Sequence, residues 1–239
     1  MESVPRRSES GGVIDFRSAC GWNVSYRSVS HGPAPLLSAS ALALWAAAET
    51  VGAAETEPRA RLLRELREHA LVIGEVVLTS GAVAQYLVDA KRAILRREGF
   101  MALAELVAAQ ALQWGATAVG GMTMGADPIA CAALAGGADV KAFFVRKEVK
   151  AHGLGRRLEG PLLEPARDRC MLVEDVVTTG GSTIRALEAV RAEGLEVVGV
   201  LAICDRLAGG GEAISAAAGA PYVALTTIDE VYPQRPDRY

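Results

Sequence analysis

From Pro58 onward, short apolar runs alternate with stretches of helical periodicity. Pro58 suits the first turn of a helix, and Leu62, Leu63, Leu66 and Ala70 fall on one face among Arg and Glu. Residues 76–78 predict a short strand ahead of the Ser80-Gly81 turn, and residues 86–88 another. Residues 100–113 read as a helix stopped by Gly115, followed by a small buried strand over 116–120. Asp127-Pro128 supplies a cap and a first-turn proline for a helix over 129–135. Strands then follow at 140–145 and 171–173, a helix at 183–192, a strand at 197–203, a helix at 214–217 and a last strand at 222–225. Parallel strands need crossover connections, so this alternation predicts an α/β fold with a central, mostly parallel sheet flanked by helices on both faces.

Residues 1–56 depart from the pattern. Ser, Gly, Pro and Arg are scattered without period up to Pro35, and an Ala/Leu-rich segment follows at 36–48. The expectation is a poorly ordered N-terminal extension over 1–56, or the product of a start site placed too early, ahead of a folded domain over 57–239. The 36–48 segment has the apolarity of a secretory signal, but its charged start, Arg6-Arg7, lies too far upstream. No apolar run approaches the ~20 residues of a bilayer span, so no membrane association is expected.

Composition narrows the chemistry. With 51% hydrophobic residues among 239, a full core is within reach. The balance of 25 basic and 28 acidic residues, net −3, gives no electrostatic case for nucleic acid or an anionic membrane. Four cysteines lie far apart without a CxxC pair, which fits reduced thiols in the cytoplasm. Three scattered histidines (His31, His69, His152) argue against a His-based zinc site.

The segment 170–191, CMLVEDVVTTGGSTIRALEAVR, reads as strand, anion-binding loop and helix. A buried strand delivers Glu174 and Asp175 to its carboxyl end. The small residues that follow, Thr178, Thr179, Gly180, Gly181 and Ser182, let backbone N–H groups close on a phosphate at the helix N-terminus. Two adjacent carboxylates add acceptors for the vicinal hydroxyls of a ribose, or ligands for a metal on it. A second segment, FFVRKEVKAHGLGRRLEGP over 143–161, places Arg146, Lys147, Lys150 and His152 directly after a hydrophobic strand, with glycines at 153, 155 and 160. Doubly wound sheets bind ligands at that end, and glycines permit closure, so a polyanion such as diphosphate is the expected partner.

Residues 170–182 resemble the phosphoribosyl-pyrophosphate motif of the phosphoribosyltransferases, in which apolar strand residues precede two acids and a Thr/Gly-rich loop. Residues 143–161 resemble the catalytic loop of the orotate phosphoribosyltransferases within that family, and similarity extends through most of the chain from about Val72. The resemblance implies a type I phosphoribosyltransferase fold with a small N-terminal hood subdomain. It also implies Mg²⁺-dependent transfer of a phosphoribosyl group from phosphoribosyl pyrophosphate to orotate, in a homodimer whose loop reaches into the partner's site. On this resemblance Arg146, Lys147, Lys150 and His152 contact the diphosphate, with Lys150 the main catalytic cation. Glu174, Asp175, Val176, Val177 and the loop to Ser182 hold ribose and 5′-phosphate, while Thr178 and Arg206 hold orotate. Mg²⁺ is carried mainly by substrate oxygens. Residues 78–81 followed by Tyr86, Asp89, Lys91 and Arg92 resemble the family's N-terminal substrate segment, and residues 120–128 resemble its second phosphate-side loop.

The chain also departs from some members of the family. Thr79 and Ala84 flank the Ser-Gly turn where a lysine and a serine occur, Leu87 replaces a second aromatic, and Met124-Gly125 stand where a lysine is found. Glu174 keeps the charge of the first motif acid with a longer reach. Two other readings share the 170–183 motif: a phosphoribosyltransferase for a purine or another base, and a non-catalytic sensor of phosphoribosyl pyrophosphate.

Overall fold

The computed structural model describes residues 57–77, 83–148 and 157–238. The expected extension over 1–56, the Ser80-Gly81 turn, Lys150 and His152 lie outside these residues. Helix α1 (Glu57–Glu65) runs into a π-helical turn (Leu66–Ala70), and strands β1 (Leu71–Val77) and β2 (Val83–Val88) pair as an antiparallel hairpin. This two-stranded sheet is the small N-terminal subdomain. There follow α2 (Lys91–Ile94), α3 (Arg97–Gln113), β3 (Ala118–Met122), α4 (Asp127–Ala135), β4 (Lys141–Val145) and β5 (Leu158–Glu159). The chain continues with β6 (Arg169–Val177), α5 (Gly181–Ala192), β7 (Glu196–Asp205), α6 (Gly210–Ala218), β8 (Tyr222–Thr227) and α7 (Ile228–Val231).

The main sheet has six strands in the order β5-β4-β3-β6-β7-β8, all parallel except the short edge strand β5. From β3 the chain steps outward to β4, then crosses back to β6 and proceeds the other way. The strand order therefore reverses between β3 and β6, and in open α/β sheets the ligand crevice opens at that reversal, beyond the carboxyl ends. Both faces of the sheet are covered. Met171, Val173, Leu201 and Ile203 pack with residues of α1, α3 and α4, whereas Cys170, Leu172, Val200 and Ala202 pack with residues of α5 and α6. Successive side chains on a strand point to opposite faces, so burial of both faces explains why these strands read as continuous apolar runs.

The structure departs from expectation in several places. Strand β6 is longer than 171–173 and carries the acid pair within it, because Glu174, Val176 and Val177 still pair with Ala202, Cys204 and Asp205 of β7. Strand β3 begins two residues later than the apolar run, since Ala116 and Thr117 form the approach from α3. The short elements α2, β5 and α7 had no periodic signal. Helix α7 is instead set by a capping box between Thr227 and Glu230, and Arg59 of α1 holds the same glutamate at 2.6 Å.

Leu172 is fully buried between β6 and the α5 side of the core. Leu172→Ala is expected to lower unfolding free energy by about 2–5 kcal/mol, measured by urea titration.

Candidate functional site

Strand alternation sends the two acids of β6 in opposite directions. Glu174 lies on the α5 side and is 5% exposed. Its Oε2 accepts hydrogen bonds from Ser182 Oγ at 2.6 Å and Thr183 Oγ1 at 3.0 Å, so it ties the strand to the first turn of α5 and sets the intervening loop. Burial pushes its proton affinity up. The hydroxyl hydrogen bonds oppose that shift and the Asp175 charge adds to it, leaving Glu174 at about 7. Asp175 faces the other side of the sheet, where Oδ1 accepts the Val176 N–H at 2.8 Å and Oδ2 accepts from Lys91 Nζ at 2.9 Å.

The loop itself exposes a helix N-terminus. Thr178 and Thr179 are exposed, and Gly180 adopts φ +79°, a left-handed conformation that favours glycine. Gly180 offers no side chain to cap α5, which leaves the positive end of the helix open to a ligand. A second loop, after β3, closes one wall. A side chain at Gly125 would bring its Cβ to 2.7 Å from Asp175 Oδ1, so the backbone there passes directly against the carboxylate.

Cations flank this centre. At the end of β4, the Arg146 N–H donates to the Arg157 carbonyl at 2.8 Å, and the Arg157 guanidinium donates to the Arg146 carbonyl at 3.1 Å. Arg146 also approaches Glu159 at 3.3 Å, and Lys147 is exposed. A cleft of ≈ 550 Å³ opens here between Thr123, Phe144, Arg146, Lys147, Glu148 and Glu159. On the opposite flank, at the end of β7, buried Asp205 accepts from Leu207 N–H at 2.7 Å and Tyr222 OH at 2.8 Å, fixing the turn that carries Arg206. The Arg206 N–H donates to the Val177 carbonyl, so this turn lies beside the 178–182 loop. Its guanidinium donates to Tyr86 OH at 2.9 Å, and Tyr86 OH donates to Asp237 at 3.0 Å.

The crevice thus gathers Arg146, Lys147, Glu174, Asp175, the 178–182 loop and Arg206 at neighbouring strand ends. Lys150 and His152 lie outside the described residues. Three further contacts were not foreseen from the sequence: Lys91 on Asp175, Tyr86 on Arg206, and Asp237 behind Tyr86. Lys91 and Tyr86 stood in a segment already resembling the substrate side. Asp237, near the C-terminus, carried no signal.

Comparison with known proteins identifies the family. The family model described as a phosphoribosyl transferase domain matches residues 93–217. The chain is similar to an orotate phosphoribosyltransferase of Corynebacterium glutamicum, with 44% identity over 176 residues, covering 73% of this chain and 94% of the relative. It resembles the crystal structure of Mycobacterium tuberculosis orotate phosphoribosyltransferase in complex with Fe(III) dicitrate, at TM-score 0.66 and 39% identity, over 73% of this chain and 99% of that one. The same Mycobacterium tuberculosis enzyme solved with 5-phospho-alpha-D-ribosyl 1-diphosphate gives TM-score 0.62 at 34% identity, over 73% and 98%.

The Glu174 geometry has a consequence for stability. The folded state holds this proton up to about 7 against an ordinary 4.5, so between those values it binds more protons than the unfolded chain and loses stability as pH rises. Glu174→Gln keeps an acceptor for Ser182 and Thr183 but cannot ionise. Its denaturation midpoint is expected to fall less than wild type between pH 5 and pH 7, measured by thermal unfolding across that range.

Proposed function

The chain belongs to the orotate phosphoribosyltransferase family, and from that premise we propose that it transfers the phosphoribosyl group of 5-phospho-α-D-ribose 1-diphosphate to orotate. The products are orotidine 5′-monophosphate and diphosphate, a step of pyrimidine (UMP) biosynthesis. One observation carries the reading: a phosphate loop with paired acids lies at the point of strand reversal, with Arg146 and Lys147 on one flank and Arg206 on the other. That layout supplies separate places for a sugar phosphate, a leaving diphosphate and an anionic base.

The reaction breaks the bond from the anomeric carbon to diphosphate and forms one to a pyrimidine nitrogen. Positive charge develops on the ribose while negative charge grows on the leaving group, and no protein nucleophile is required. Backbone N–H groups from Thr178 to Ser182, at the α5 N-terminus, take the 5′-phosphate. Asp175 accepts from the ribose hydroxyls, and Glu174, beneath the loop, completes the acid pair while holding Ser182 and Thr183. Arg146 and Lys147, joined by Lys150 and His152, stabilise the departing diphosphate. The Arg206 guanidinium presents paired N–H groups to the orotate carboxylate, and Thr178 reaches the pyrimidine edge.

The reading includes Mg²⁺. Both motif acids already have partners, Asp175 on Lys91 and Glu174 on Ser182, a donor set that fits an ion held chiefly by substrate oxygens. Bound in that way, it supplies charge neutralisation to the diphosphate. The reading also includes a homodimer with the 146–160 segment donated across the interface, and a cytoplasmic location. Buried free thiols at Cys170 and Cys204 favour that location, and among the described residues no helix is long and apolar enough to cross a membrane.

The test follows absorbance of orotate with purified protein, phosphoribosyl pyrophosphate and Mg²⁺, with hypoxanthine and uracil as competing acceptors. Orotate alone is expected to be consumed. Lys150→Ala is expected to lower kcat by about 10²–10³. Arg206→Ala is expected to raise the KM for orotate by roughly 10- to 100-fold, the loss of a charge-assisted pair, with the KM for the sugar donor unchanged. Conversion of another base overturns the substrate assignment; donor binding without turnover of any base overturns catalysis.

A further inference from the structure

Asp175 does not stand alone in the crevice. Lys91, the first residue of α2, places Nζ 2.9 Å from Asp175 Oδ2 and 2.9 Å from Asp89 Oδ1. Asp89 Oδ1 is itself out of solvent, and the Asp89 N–H is held by the Ala70 carbonyl at 2.9 Å. The ammonium is therefore clamped between a carboxylate anchored at the end of the hairpin and a carboxylate of the phosphate-loop strand.

We propose that Lys91 is a positioning residue that orients the Asp175 carboxylate toward the ribose of the sugar donor. The inference rests on the function proposed above and assigns to the hairpin side of the protein a part in recognition of the sugar. A carboxylate on a short side chain turns easily about its terminal torsion, which is broad and two-fold. Here each oxygen has one fixed donor, Val176 N–H on Oδ1 and Lys91 on Oδ2, and the Gly125 backbone closes the remaining side. Each oxygen keeps lone-pair capacity for a hydroxyl. Lys91 also offsets the charge of Asp175 at the strand end. Partial burial disfavours the ammonium, but hydrogen bonds and charge from Asp89 and Asp175 outweigh this and hold the lysine above its ordinary value. Asp89 thus fixes Lys91, and Lys91 fixes Asp175.

The experiment measures binding of phosphoribosyl pyrophosphate with Mg²⁺ by calorimetry, alongside steady-state kinetics, for wild type, Lys91→Met, Lys91→Arg, Asp175→Asn and the double variant Lys91→Met/Asp175→Asn. Lys91→Met is expected to weaken the sugar donor by about tenfold, as loss of a supporting partner commonly does, with the KM for orotate unchanged. Lys91→Arg recovers most of the affinity. In the double variant the Lys91 change adds nothing to the Asp175 change, because the lysine acts through that carboxylate. Losses that multiply in the double variant overturn the proposal and make Lys91 a direct ligand; wild-type affinity in Lys91→Met overturns it outright. Should Lys91→Met fail to fold, Asp89→Asn loosens the same lysine and is expected to weaken donor binding without affecting orotate; unchanged donor affinity there overturns the proposal. If wild type binds the donor but leaves orotate untouched, the substrate assignment fails while the binding comparison still decides the role of Lys91.

Discussion

A strand buried on both faces has no place for charge until it leaves the core, and this constraint governs β6. Its residues from Cys170 to Val173 are enclosed between two helical layers. Its two acids come where that enclosure begins to lapse: Glu174 is still buried, Asp175 is half-buried, and the ladder to β7 keeps the strand extended through both. Alternation then sends one carboxylate under α5 and the other toward α2. One acid becomes part of the loop's framework and the other faces the crevice, a division of labour that follows from the pleat alone.

Around that pair the charges are arranged in sequence along the sheet edge. Cations at the end of β4 lie on one side, Arg206 at the end of β7 on the other, and the acids with the open helix N-terminus between them. A net charge of −3 hides this local order. Such preorganisation is what a reaction without a protein nucleophile needs, since its barrier is lowered by fixed charges and by positioning rather than by covalent chemistry.

Long-range hydrogen bonds supply the precision. Tyr86 from the hairpin receives Arg206 and in turn donates to Asp237, whose own carboxylate is held by Arg235 at 3.0 Å. Lys91 joins the hairpin side to the phosphate-loop strand. The N-terminal hairpin and the C-terminal segment therefore both bear on side chains at the sheet edge, and Arg206 is oriented from outside its own turn.

Much of this was legible beforehand for a physical reason. Period-two and helical periodicity, together with the order of strand, acids, small-residue loop and helix over 170–191, are local properties, so the α/β class, the alternation of elements and the strand-loop-helix unit at 170–191 could be read directly. The Pro128 start of α4 was legible in the same way, since proline suits a first helical turn, but Asp127 is not the cap: Ala126 precedes the helix, and the Asp127 carboxylate accepts from Thr123 Oγ1 at 2.7 Å instead. Boundaries were not. The apolar run at 171–173 understated β6, because pairing with β7 carries the strand through charged residues that periodicity excludes. The partners of Asp175 and Arg206 were beyond reach as well: Lys91 and Asp175 are 84 positions apart and Tyr86 and Arg206 are 120. The chain by itself determined which residue types stand in order along each strand end and loop, since that is a local property. Only the tertiary structure decided which way each acid faces and what holds it, because those depend on strand pleat, sheet order and contacts that close loops of many residues.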